Sequence, residues 1–273
     1  KDIFWNDNLL VEYKLADFHF GGLSSKIETG HEWNLEIAEK TFCDFFDYAL
    51  NRAEDASYAV IVNLGDMSHV DGNTPHTTSR KHALDASARF PDIKNAIVKC
   101  FDYAIASALK KHQHVHVIYA PGNHDEHVSP LIRDMIARAY ANNPRVSFDM
   151  SERLFFAHKF GNTSLFYHHG HKRKNLKAMA QTYTTMFPEI YGETKYRYGW
   201  NGHFHHAAGE KEFGIFMRQC QTLAPIDNHA ASLGLYSQSG TPVTTYHRDF
   251  GEESTFYVRP EMLCRQENNF GEK

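Results

Sequence analysis

Apolar positions along this chain follow two rhythms. Residues 10–16 alternate apolar and polar side chains and run into Asp17-Phe18-His19-Phe20-Gly21-Gly22, which predicts a strand closed by a glycine-rich break. Residues 58–64 and 115–119 are apolar runs of strand length. The first ends in Gly65-Asp66-Met67-Ser68-His69 and the second in Ala120-Pro121-Gly122-Asn123-His124-Asp125. Between these runs the period lengthens. Leu35, Ala38, Phe42, Phe45, Phe46, Ala49 and Leu50 predict an amphipathic helix over 32–52, and Ile93, Ala96, Ile97, Cys100, Phe101, Ala104 and Ala108 predict another over 91–111. Strands alternating with helices in this way form βαβ units, which bring all three polar clusters to the same edge of one sheet.

A further helix is expected over 130–142, stopped by Asn142-Asn143-Pro144. The texture then changes to short strands at 154–159, 164–167 and 196–200, with a helix running from the Lys172, Arg173, Lys174, Lys177 cluster to about Met186. Strand-like segments at 215–223, 243–247 and 255–259, with a helix near 226–235, are expected to complete a second sheet. Residues 70–90 form a polar, turn-rich insertion, long enough in a compact domain to indicate function.

Composition narrows the class. The 273 residues, 42% of them hydrophobic, can bury one sizeable core, and a single domain over 1–273 is expected. A net charge of -4 excludes a generally basic nucleic-acid coat, so any contact with nucleic acid must be local. Cys43, Cys100, Cys220 and Cys264 have no paired spacing, which fits neither a disulfide scaffold nor a cysteine zinc site and points to a reducing, cytoplasmic setting. No apolar run reaches transmembrane length. The chain opens on Lys1, which leaves room for an upstream segment. The 19 histidines matter only where they fall at useful places.

Five polar clusters follow apolar runs: Asp17-x-His19, Gly65-Asp66, Gly122-Asn123-His124-Asp125, His169-Gly170 and Gly202-His203-x-His205. Asp17 and His19, two apart on extended chain, can address one point in space. Any one cluster alone reads equally as a solvated turn. Their succession over residues 17–205 resembles the signature of the calcineurin-like metallophosphoesterases, including nuclease-like and phage-encoded members. The resemblance implies an α/β fold, a four-layer α/β/β/α sandwich of two mixed sheets. It also implies two divalent ions, with manganese favoured and iron, zinc or nickel as alternatives for mixed oxygen and imidazole donors.

By the same resemblance Asp66 bridges the ions. Asp17, His19 and His205 complete one position, and Asn123, His169 and His203 the other. A metal-bound hydroxide would be the nucleophile. His124 would be the general acid and Asp125 the carboxylate that orients its ring. His168 and His171 flank a ligand and could exchange roles with it, and His69 stands where many relatives place an acidic residue. Arg80, Arg89, Arg133, Lys172, Arg173, His229, Tyr236 and Arg248 are candidate substrate contacts on loops.

The function expected is hydrolysis of a phosphate ester, with a phosphodiester of nucleic acid, DNA included, or of a nucleotide as the first substrate class and no membrane partner. A phosphomonoesterase acting on a protein, nucleotide or small metabolite would use the same residues. A non-catalytic metal-binding scaffold is disfavoured by the retention of both the ligands and His124.

Overall fold

A computed structural model describes residues 4–73, 84–173, 175–204, 207–225 and 238–263. The first strand, β1 (Asn6–Leu15), is followed by a short helix, α1 (Lys26–Thr29), and by α2 (Leu35–Arg52). This longer helix starts three residues later than its apolar spacing suggests, because the Asn34 side chain accepts the Ile37 N–H at 2.9 Å and caps it there. Next come β2 (Ala56–Asn63), α3 (Phe90–Lys111), β3 (His114–Tyr119), α4 (Val128–Ala139) and β4 (Val146–Phe148). The four strands lie parallel in the order β1-β2-β3-β4, as right-handed βαβ units require.

The second sheet begins with β5 (Phe156–Phe160) and β6 (Thr163–Tyr167), an antiparallel hairpin. After α5 (Leu176–Met186) and α6 (Pro188–Glu193), β7 (Tyr196–Asn201) pairs in parallel with β6. The hairpin β8 (Ala208–Glu212) and β9 (Ile215–Gln219) closes this five-stranded sheet in the order β5-β6-β7-β9-β8. The last strands, β10 (Thr241–His247) and β11 (Gly251–Val258), precede a short helix, α7 (Pro260–Leu263).

Here the sequence expectation needs correcting. The strands β10 and β11 join the first sheet, antiparallel beside β1, and make it six-stranded. Their alternation is compatible with either sheet; the pairing of Leu9 with His247 and Tyr13 with Val243 decides the matter. The polar strand β8 had no apolar pattern to announce it. The helix expected near 226–235 lies outside the described residues.

Period-two alternation sorts the core into layers. On β1, Leu9, Val11, Tyr13 and Leu15 pack against α2 and α3, while Leu10, and Ala16 just past the strand, face the second sheet. A third apolar cluster, including Phe166, Met179, Tyr183 and Met217, fills the space under α5. The result is helices, sheet, sheet, helices, the expected four-layer α/β/β/α sandwich.

The polar residues of β1 are buried too. Glu12 and Lys14 form an ion pair closed to solvent. Tyr246 donates its hydroxyl to Glu12 Oε2 at 3.1 Å, Lys14 donates to Thr244 Oγ1 at 3.1 Å, and the Lys14 ammonium stands 4.3 Å from the Trp200 ring centroid. Both faces of β1 are therefore covered. Among the described residues, no helix is long and apolar enough to cross a membrane.

Candidate metal centre

The loops after β1, β2 and β3 meet at one edge of the first sheet. The Asp17 N–H donates to the Gly65 carbonyl at 3.0 Å, and the His19 N–H donates to the Asp66 carbonyl at 3.0 Å, so two ligand-bearing loops are joined by their backbones. The Asn63 side chain accepts the Gly65 N–H and donates to the Ala120 carbonyl, which adds the third loop. A loop of the second sheet arrives through the His203 N–H, 2.8 Å from Asp17 Oδ2.

Backbone strain is concentrated at this edge. Five non-glycine residues among those described have left-handed φ, and four of them are expected ligands: Asp17 (50°), His19 (51°), Asp66 (54°) and His203 (72°). Such conformations cost about 1–3 kcal/mol each and persist only where the surroundings enforce them. They also revise the reason for one expectation. Asp17 and His19 converge through two left-handed turns and not because they share a face of extended chain.

Two donor groups result. Asp17, His19 and Asp66 each bring a donor atom within 4.8 Å of the others, and so do Asp66, His169 and His203. Asp66 belongs to both. His169 Nδ1 donates to the Leu64 carbonyl at 2.9 Å, which leaves Nε2 facing Asp66 Oδ2 at 3.2 Å and Asn123 Oδ1 at 3.1 Å. His205 lies outside the described residues.

Carboxylate, amide oxygen and imidazole form a donor set suited to divalent transition ions. The space around them is kept by glycines. A Cβ on Gly122 would overlap the Asp66 carboxylate, and one on Gly202 would stand 2.6 Å from Asp17 Oδ2. Burial pushes the Asp66 carboxyl up, but His169, His124 and His19 together outweigh it and hold the group well below the usual carboxylate range. Burial lowers the His169 pKa, and the Asp66 and Asp17 carboxylates reverse this and bring it up to about 9.

His124 is beside this set. Its N–H donates to Asp66 Oδ1 at 2.7 Å, and its ring lies 4.6 Å from that of His19. The role expected for Asp125 does not fit its contacts. Its carboxylate accepts the Ser68 N–H at 3.0 Å and the Gly122 N–H at 2.8 Å, while His124 Nδ1 donates to the His69 carbonyl at 3.0 Å. Asp125 ties two loops together, and a main-chain oxygen turns the ring.

Of the flanking histidines, His168 turns away from the centre: it stacks on Phe155 at 4.0 Å, and its Nδ1 accepts the Gly170 N–H at 2.6 Å. Burial and the nearby His169 push its pKa down to about 2. His171 lies between His169 and Glu126, its Nε2 3.9 Å from the Glu126 carboxylate.

Several expected substrate contacts lie elsewhere. The buried Arg133 guanidinium is engaged by Asp134, Glu152 and the Ser151 carbonyl, a link between α4 and the 151–152 loop. Arg248 is at the opposite edge of the sheet. Its N–H bonds to the Asn8 carbonyl, roughly 30 Å of strand from Asp17 at the usual rise per residue, because β10 runs antiparallel to β1. Arg89 precedes α3, exposed and paired with Asp92. Lys172 reaches Glu126 at 3.0 Å and remains near the centre, followed by exposed Arg173. Arg80, His229 and Tyr236 lie outside the described residues. Sequence reasoning gave His69 no role, yet its ring stands against His19 and its carbonyl holds His124.

No family model matches the chain, and no curated protein matches it in sequence. Several solved structures match it over most of its length. Wild-type Vps29 complexed with Zn²⁺, from Entamoeba histolytica, is 12% identical, covering 92% of this chain and 98% of its own, with a TM-score of 0.40. A novel archaeal phosphodiesterase is 9% identical, covering 91% and 99%, with a TM-score of 0.44. A protein from Streptococcus pneumoniae TIGR4, described as a predicted phosphoesterase, is 12% identical, covering 92% and 98%, with a TM-score of 0.35.

Proposed function

We propose that this chain is a binuclear metal-dependent phosphodiesterase acting on nucleic acid or nucleotides. The observation that carries the reading is the position of Asp66, whose carboxylate belongs to two donor groups at once. Asp17, His19 and Asp66 would hold one ion, and Asp66, Asn123, His169 and His203 the other. Two divalent ions supply, when bound, an activated water at neutral pH and charge compensation for the phosphoryl oxygens.

The chain's own residues do the rest. Asp17 and Asp66 carry one negative charge each, and Asn123 and the imidazoles carry none, so a loaded centre retains net positive charge for an anionic ester. His124 protonates the departing oxygen. Its Nδ1–H is held by the His69 carbonyl, so the proton leaves from Nε2. Both His124 and Asp66 are fixed by one main-chain bond, which keeps the acid in register with the bridging carboxylate.

A diester is favoured over a monoester on charge. Arg133 is engaged away from the centre and Arg248 lies past the far end of β10, and a dianionic monoester would draw more heavily on such cations than a monoanionic diester. Among the described residues, Lys172 and Arg173 are the expected contacts that stay beside the centre, where a nucleic-acid backbone would meet them. Assay of the Mn²⁺-loaded chain on bis-p-nitrophenyl phosphate, p-nitrophenyl phosphate, cyclic nucleotides and single- and double-stranded DNA tests this. Turnover of the diesters is expected; turnover of the monoester alone would replace the reading with a phosphomonoesterase.

A further inference from the structure

Beside the binuclear set stands an imidazole that belongs to neither of its donor groups. His69 joins His19 and His124 in a third group, each ring bringing a nitrogen within 4.8 Å of the other two. The ring centroids are 5.2 Å apart for His19 and His69, 4.6 Å for His19 and His124, and 5.3 Å for His69 and His124. The three arrive on separate loops, after β1, β2 and β3.

One distance indicates what they could hold. Nδ1 of His69 lies 3.4 Å from Nδ1 of His19. At that length it is a weak hydrogen bond, whose shared proton a bound ion would displace. The distance matches the edge of a tetrahedron around an ion with metal–nitrogen bonds of about 2.0–2.1 Å, an edge of about 3.3–3.4 Å. Three imidazoles with a fourth position open to water form a nitrogen-only set. Such a set takes Zn²⁺, Ni²⁺ or Cu²⁺ in preference to Mn²⁺, Mg²⁺ or Ca²⁺.

We propose that His19, His69 and His124 form a third, inhibitory metal site that takes a zinc-class ion in addition to the binuclear pair. His19 belongs to both groups, so an ion on each of its two ring nitrogens requires it to give up its ring proton to solvent as the third ion binds. The inhibitory consequence rests on the phosphoesterase reading: a ring nitrogen of His124 bound to an ion has no lone pair with which to carry a proton to the leaving oxygen. The chain then works with manganese and is shut by excess zinc.

The test counts ions as well as rates. The full chain is dialysed against buffered Zn²⁺ and its metal measured by elemental analysis. In parallel, hydrolysis of bis-p-nitrophenyl phosphate by the Mn²⁺-loaded chain is followed as Zn²⁺ is added. Wild type is expected to bind about three zinc ions and His69→Gln about two, the pair plus or minus the third site. As zinc is added the wild-type rate should fall by about a hundredfold, the scale of a lost general acid, while His69→Gln stays near its own zinc-free rate. His124→Asn should also stop at two ions, which keeps the count decisive if His69→Gln does not fold. A wild-type count that stops at two, or three ions persisting in either variant, would overturn the third site. Three ions with no ester hydrolysis by the Mn²⁺-loaded chain would leave the site standing and sink the phosphoesterase reading.

Discussion

The main-chain N–H of His124 donates to Oδ1 of Asp66 at 2.7 Å, so the orientation of the shared carboxylate does not depend on the imidazole beside it. Replacing the ring removes the acid and preserves the bond. His124→Asn is therefore expected to retain both ions and to lose turnover by about 10² to 10⁴, the usual worth of a positioned proton donor. Elemental analysis and steady-state rates on a diester check this. Loss of metal in the variant would show that the ring, and not its backbone, supports Asp66.

Asp125 gives the opposite pattern. Its carboxylate is closed to solvent and accepts from the Ser68 and Gly122 N–H groups, joining the loop after β2 to the loop after β3. Burial, with the Asp66 charge, raises its pKa to about 6 against the pull of these two donors. Asp125→Ala would leave two buried N–H groups unpaired, each costing about 1–3 kcal/mol. Stability and metal affinity should fall together. Urea unfolding beside metal titration separates this from a ring-orienting role, which would cut turnover in a protein of unchanged stability.

How far the sequence disclosed this centre depends on what each feature leaves in a string of residues. The clusters that carry Asp17, Asp66, Asn123, His169 and His203 stand out because each follows an apolar run, and parallel strands bring such ends to one edge, while their roles as ligands come from the resemblance alone. The carbonyl of His69, which turns His124, has no residue signature at all, and the resemblance points to the adjacent carboxylate instead. Arg133 and Arg248 have the composition of substrate contacts. Only the packing of α4 on the 151–152 loop, and the antiparallel course of β10, show them to be elsewhere. Sheet membership of β10 and β11 was hidden for a related reason, since alternation reports that one face is covered and not by what.

Behind the centre, Glu12 and Lys14 form a buried ion pair on the strand that delivers Asp17. Removing one partner strands the other charge in the space between the sheets, at a typical cost of about 3–5 kcal/mol. Glu12→Gln and Lys14→Met should each destabilise on that scale. The double variant, with no charge left to bury, should lose less than either alone. Urea denaturation of the three proteins measures it; additive losses would show that the two charges do not interact.

His112 makes the fold sensitive to acid. Fully buried at the end of α3, its ring bonds Tyr13 Oη at 2.7 Å and donates from Nδ1 to the Ala56 carbonyl at 2.8 Å. Burial lowers its pKa to about 4 from an unfolded value of about 6.5. Between those values the unfolded chain binds a proton that the native chain refuses, so stability falls as pH falls from about 6.5 to 4, by about 1.4 kcal/mol per pH unit at most and about 3 kcal/mol in all. Above 6.5 this group contributes no slope. His112→Gln carries no titrating ring, so its unfolding free energy should depend less steeply on pH across that window than the wild type's. Urea titrations at intervals from pH 7.5 to 4.5 give both slopes, and equal slopes would remove His112 from the account of acid lability.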